Sequence, residues 1–275
     1  MLKRTITGGC YALTICAFFL LREFVDYRLF TVLIFLFCSI GTFEIARAEK
    51  PNLIKGNFTA IIIYGGLLVP LYCVLQYVFN FGYLVFALPI LFGLTILIIC
   101  LILKKNSNVI ATNIISYFYP AIFIISMLLA NDLGQNKGFI ALLLPFVVSA
   151  LSDTFAYFTG SLIGGKKLCP KLSPKKTWSG AIGGTIGGAV GALVVYFIFQ
   201  NKASVNFVSP IILFVIFGVL ASILTIIGDL FESFIKRKAG IKDMGKILPG
   251  HGGVLDRIDG TSFVCLLSYI VFLLV

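Results

Sequence analysis

Apolar residues fill this chain in long unbroken runs, and polar residues gather in the gaps between them. The runs fall near 5–21, 28–46, 58–79, 82–103, 111–130, 138–160, 178–200, 208–230 and 258–275. A helix needs about 20 apolar residues to cross a bilayer, whereas spanning strands read as alternating segments of about ten. Continuous runs therefore predict an all-α fold, a polytopic integral membrane protein with about nine transmembrane helices. The first run is short and resembles a signal peptide. It lacks a clear small-x-small cleavage site and the next run follows at once, so a retained helix is expected. Little chain lies outside the runs, and we expect one integral membrane unit with no soluble appendage. Residues 1–130 have short loops and few charges within their helices, and are expected to form N-terminal scaffold and lipid-facing wall. Residues 131–275 are expected to supply the C-terminal helices and the cytoplasmic catalytic loops.

Charge sharpens this reading. The chain of 275 residues is 59% hydrophobic, with a formal charge of +11. Nine spans put 18 of its 22 Lys and Arg on one side and only Arg22, Arg28, Lys137 and Lys202 on the other. The positive-inside rule then assigns the N-terminus and the segments 47–57, 104–110, 161–177 and 231–257 to the cytoplasm. No nucleic-acid partner is expected. The seven cysteines are scattered, mostly inside apolar runs and without a CxxC pair, so they read as small buried hydrophobes. Gly180, Gly184 and Gly188, with Gly183, Gly187 and Gly191, give two small-xxx-small series in one run, which predicts a closely packed helix and not a phosphate loop.

The polar chemistry concentrates in SFIKRKAGIKDMGKILPGHGGVLDRID, residues 233–259. This stretch holds six Lys or Arg, three Asp, five Gly and the single histidine, His251. Such density beside membrane helices points to a phosphorylated ligand. Asp229, Glu232, Ser233, Lys236 and Arg237 share one stripe if the preceding helix continues. A carboxylate at the membrane edge with bases a turn or two beyond suits a metal-bound polyphosphate; a solvated amphipathic helix end is the alternative. Asp256 and Asp259 share a face at the start of the last run. They either cap that helix or ligate Mg²⁺, which takes hard oxygen donors. One histidine among many aspartates argues against zinc. Pro249 to Gly253 read as a tight turn whose backbone N–H groups approach an anion. His251 contacts phosphate, serves as acid or base, or orients the loop.

Two further elements face the same predicted side. In SPKKT, Pro174 precludes a regular helix, and Ser173, Lys175, Lys176 and Thr177 suit a phosphate grip; an ordinary positive anchor beside an interfacial Trp178 is the alternative. Asp153 lies within the sixth run, on a face with Ser149 and Tyr157. It reads as the wall of a polar cavity, with metal or substrate contact, or as a structural hydrogen bond to a neighbouring helix.

From Ser233 through Lys242, Asp243, His251, Gly252, Gly253, Asp256 and Arg257 to Asp259, the chain resembles, position by position, the signature of the CDP-diacylglycerol synthases (phosphatidate cytidylyltransferases). SDTFAY around Asp153, SPKKTWSG and GDLFES are similar to other segments of that family, so the resemblance reaches from about 150 to 275. The first half matches only as a run of helices. The resemblance implies packed transmembrane helices, a homodimer, and the conversion of CTP and phosphatidate to CDP-diacylglycerol and pyrophosphate in phospholipid biosynthesis. It implies Mg²⁺, with a second cation such as K⁺. Metal binding falls to Asp229 and Asp256, with Asp243 and Asp259 close by. Lys175, Lys176, Lys236, Arg237, Lys242 and Arg257 become phosphate contacts. His251 joins the catalytic set; Ser173, Thr177, Asp153, Ser233, Gly252 and Gly253 join the substrate contacts. A bacterial cytoplasmic membrane, with the site facing the cytoplasm, is the expected location. A CTP-dependent lipid kinase, a cytidylyltransferase for another lipid phosphate, a transporter and an inactive scaffold are the competing readings. Transporters place their sites near the midplane, whereas these charges gather at one face.

Overall fold

A computed structural model describes residues 2–202 and 209–275, with residues 2–4 by their backbone alone. The helices are α1 (Leu2–Phe24), α2 (Phe30–Glu49), α3 (Asn57–Tyr77), α4 (Ala87–Ile102), α5 (Ser107–Phe118), α6 (Ala121–Asn131), α7 (Gln135–Leu162), α8 (Trp178–Ile198), α9 (Pro210–Lys238) and α10 (Leu255–Leu274). Strands β1 (Lys167–Cys169) and β2 (Ser173–Thr177) form a hairpin between α7 and α8. Among the described residues, nine helical stretches are long and apolar enough to cross a membrane, as the hydrophobic runs predict. The predicted eighth run starts at 208, which lies outside the described residues. The fifth stretch is built from two helices, because Pro120 has no N–H to continue the ladder and α5 ends before it. Helix α9 runs on beyond its apolar part to Lys238, supported by the Lys236–Glu232 ion pair at 3.0 Å, one turn apart.

The chain clusters into two units. The first comprises 1–129 together with 239–257, and the second 130–238 together with 258–275. In the first, α2 packs on α3 and α5, with Phe30, Ile34, Ile45, Ile61, Leu68 and Tyr72 fully or almost fully buried. A polar knot lies beside this core. Asn113 Oδ1 accepts from Asn57 Nδ2 at 2.6 Å and from the Ile54 N–H at 3.2 Å, and the Tyr117 hydroxyl donates to Asn57 Oδ1. Each buried polar atom in that knot has a partner, which is the condition for tolerating it there.

In the second unit, α8 packs against both α7 and α9. Its glycines explain how close these helices come. A Cβ at Gly187 would meet Phe155 Cβ at 2.6 Å on α7, and one at Gly188 would meet the Gly218 carbonyl oxygen at 2.9 Å on α9. The small-xxx-small series thus serves two neighbours, as the spacing predicts. A second close approach joins α9 to α10. A Cβ at Gly228 would lie 2.5 Å from the Asp259 carbonyl oxygen and 3.0 Å from Gly260 Cα, so the two backbones touch.

Candidate active site

The second unit builds its site on the hairpin and on the α9–α10 crossing. Pro174 excludes a helix at SPKKT, and the segment forms strand β2, antiparallel to β1, with Lys167 opposite Thr177 and Cys169 opposite Ser173. Along β2, Pro174 and Lys175 are exposed, Lys176 is half-buried and Thr177 is buried. Thr177 ends the strand and caps α8, its hydroxyl oxygen accepting from the Gly180 N–H at 3.1 Å. Lys176 Nζ lies 2.6 Å from Asp229 Oδ2 and donates to the Ile226 carbonyl at 3.5 Å. Asp229 Oδ1 accepts from the Ser233 hydroxyl at 3.4 Å. Lys236 pairs with Glu232, whose side chain is fully buried, while Arg237 is exposed.

The touching glycines bring their neighbours together. Asp229 follows Gly228, and Asp259 precedes Gly260. The carboxylates of Asp229 and Asp153 and the Lys236 ammonium all act electrostatically on Asp259. Asp259 Oδ1 also accepts from the Gly260 N–H at 2.8 Å. A cavity of about 300 Å³ opens here, lined by Asp153, Tyr157, Lys175, Lys176 and Thr177 against largely apolar walls including Leu168 and Ile226. Ser149 does not share in it. Its hydroxyl sits 3.1 Å from that of Thr225, tying α7 to α9.

The first unit holds the glycine-rich part of the signature. A cavity of about 580 Å³ is lined by Lys242, Asp243, Lys246, His251, Gly252 and Arg257. The turn at its floor closes by two bonds of 2.9 Å, Leu248 N–H to the Gly252 carbonyl and His251 N–H to the Leu248 carbonyl. Gly250 and Gly252 adopt φ of +80° and +91°, a region that side-chain-bearing residues rarely enter. Asp256 Oδ2 accepts from the Met244 N–H at 2.8 Å and the Gly253 N–H at 2.7 Å. His251 lays its ring against Gly8 of α1, and among the described residues its Nδ1 is buried with no hydrogen-bond partner.

Several features were not visible in the residue pattern. The N–H groups of Gly253, Val254 and Leu255 are held by carboxylates of the chain itself, the last two by Glu44 of α2. Glu44 was hidden in an apolar run of the half expected to be scaffold. The available signal was a carboxylate inside a span, a costly placement that needs a partner. Glu232 was within the predicted stripe, one turn from Lys236, but its burial follows only from the packing of α9. The signature itself is divided, since 239–257 cluster with the first 129 residues and 233–238 and 258–259 with the second unit. Among the described residues, no group of three or more His, Cys, Asp or Glu side chains is arranged to hold a metal ion.

Comparison with known proteins gives this arrangement its class. The cytidylyltransferase family profile matches residues 2–275, and the chain belongs to that family. It is similar to the phosphatidate cytidylyltransferase of Bacillus subtilis, 32% identical over 279 residues, covering 100% of this chain and 97% of that one. It is also similar to phosphatidate cytidylyltransferases of Thermotoga maritima, 35% identical over 58% of this chain, and of Haemophilus influenzae, 43% identical over 49%. These two matches span about half the length of each relative, 55% and 46%.

Proposed function

We propose that this protein is a phosphatidate cytidylyltransferase, joining CTP and phosphatidate into CDP-diacylglycerol with release of pyrophosphate. The observation that carries the proposal is the cavity in which two lysines and Asp153 meet largely apolar walls, with Lys176 paired to Asp229, in a chain of this family. A lipid phosphate has that dual character, an anionic head on an apolar body. The larger cavity offers Lys242, Lys246 and Arg257, cations suited to a nucleotide triphosphate, and His251 as a further polar contact.

A phosphatidate oxygen attacks the α-phosphorus of CTP. The new P–O bond forms as the bond to the bridging oxygen breaks, and pyrophosphate carries away the electron pair. Both reactants are anions, so the barrier is chiefly one of charge and alignment. Lys175 and Lys176 bind the lipid phosphate, and family likeness supports Lys236, Arg237, Lys242 and Arg257 as further phosphate contacts. The attacking phosphate is already ionised, so no general base and no covalent enzyme intermediate is required.

The hard oxygen donors fit Mg²⁺, which commonly uses one or two carboxylates together with substrate phosphates. Asp229 would hold it, next to Asp259; a carboxylate offers about four acceptor sites, more than its bonds to Lys176 and Ser233 use. Asp256 is the second carboxylate we propose for metal binding, and a second cation such as K⁺ is part of the same reading. The metal supplies neutralisation of phosphate charge when bound. The positive-inside bias supports a cytoplasm-facing site in a bacterial cytoplasmic membrane, and family likeness supports a homodimer.

The test is purified protein in detergent with phosphatidate, Mg²⁺ and CTP labelled at the α-phosphate. Label in the lipid phase with pyrophosphate release is the expected result. Label in lipid only from γ-labelled CTP would make the protein a lipid kinase instead.

A further inference from the structure

We infer that Glu44 is a positioning residue for the signature loop; the reaction it serves rests on the cytidylyltransferase reading above. Glu44 lies on α2, far in sequence from the loop, and is 1% exposed. Its two oxygens divide the work. Oε1 accepts from the Val254 N–H at 3.1 Å and Oε2 from the Leu255 N–H at 2.9 Å. These N–H groups open α10, where no intrahelical carbonyl reaches them. A carboxylate there also meets the positive end of the helix dipole.

The loop is shaped around this side chain. A Cβ at Gly253 would lie 2.5 Å from Glu44 Cδ, and one at Gly245 would lie 2.7 Å from it. Arg47, about one turn further along α2, donates from Nη2 to the Met244 carbonyl at 3.3 Å. The Met244 N–H in turn goes to Asp256 Oδ2. Helix α2 therefore grips the loop at 244 and at 254–255, and Asp256 closes it between those points. The consequence is chemical. Three backbone donors of PGHGGV, the N–H groups of His251, Gly253 and Val254, are taken by the Leu248 carbonyl, Asp256 and Glu44. Those three are withdrawn from substrate, and the loop so held aims Lys242, Lys246, His251 and Arg257 into the cavity they line.

Glu44→Gln tests this. Glutamine keeps the shape but offers one oxygen and sets an NH₂ against the other N–H. Rates of label transfer are measured beside hydrogen–deuterium exchange of peptides from 242–257 and from α7 to α9. The expected result is a kcat lower by about tenfold or more, as for a buried donor left unsatisfied near a reacting site, with KM for phosphatidate within about twofold. Exchange should quicken in 242–257 alone. A wild-type kcat, or exchange that rises equally in α7 to α9, overturns the inference. If Glu44→Gln does not yield folded protein, Gly253→Ala presses on Glu44 from the loop side. It should give the same confined exchange, and unchanged exchange there overturns the inference. A wild-type protein that makes no CDP-lipid refutes the assigned reaction, while the exchange arm still decides whether Glu44 holds the loop.

Discussion

Lys176 Nζ stands 2.6 Å from Asp229 Oδ2 and so ties strand β2 to helix α9 at the wall of one cavity. The two side chains are 23% and 34% exposed, and a pair so open to its surroundings stabilises a fold by at most about 1 kcal/mol. Its value lies in aiming a cation and a carboxylate at the same small space.

Replacing Lys176 by alanine is therefore expected to leave the thermal midpoint nearly unchanged, with a stability loss below about 1 kcal/mol. Activity should fall by about tenfold or more, because an anionic transition state loses a fixed counter-charge. Thermal unfolding in detergent and kcat/KM for phosphatidate check the two halves of this expectation.

Asp229→Asn and Asp256→Asn should both abolish turnover in protein that still inserts. They should differ in the loop. Asp256 receives two backbone N–H groups, from Met244 and Gly253, whereas Asp229 accepts from the Ser233 hydroxyl of its own helix and pairs with Lys176. Exchange across 242–257 should quicken in the Asp256 variant only. Near-normal activity in both would remove the carboxylates from the proposed chemistry.

Stripping divalent cations with a chelator should stop label transfer, and Mg²⁺ should restore it. A protein that retains full activity after exhaustive chelation would contradict the proposed role of Asp229.

Gly228→Ala should destabilise the protein by about 1–3 kcal/mol, the usual cost of forcing atoms into a filled contact. The added methyl has nowhere to go between the Asp259 carbonyl and Gly260 Cα. Activity should fall with it, because the same contact sets Asp229 beside Asp259. Gly66→Ala on α3 is the matched comparison. Nothing lies within 4 Å of its added Cβ, so the change should be neutral or stabilising by up to about 1 kcal/mol through helix propensity. Thermal midpoints of the two variants decide the matter.

The helices were legible because bilayer thickness imposes a length on every apolar run, and the predicted runs and observed helices differ mainly at their ends. Pro120 divides the fifth run into α5 and α6, yet together they form one stretch long and apolar enough to cross a membrane. The hairpin at 167–177 was not legible as sheet. It is short and charged, and Pro174 states only what the segment is not. The candidate chemistry was readable at 229–259 because charge is conspicuous against an apolar background. What escaped was partnership. Asp256 looks the same in sequence whether it faces a cation or two backbone N–H groups, and Glu44 contacts the loop from about 210 residues away.

Thr177 has one more implication. It is at once the last residue of β2 and the cap of α8, so no slack separates the lysine pair from a membrane helix. The place of Lys175 and Lys176 is therefore set by where α8 begins, and a displacement of that helix end reaches them with no intervening residue to absorb it.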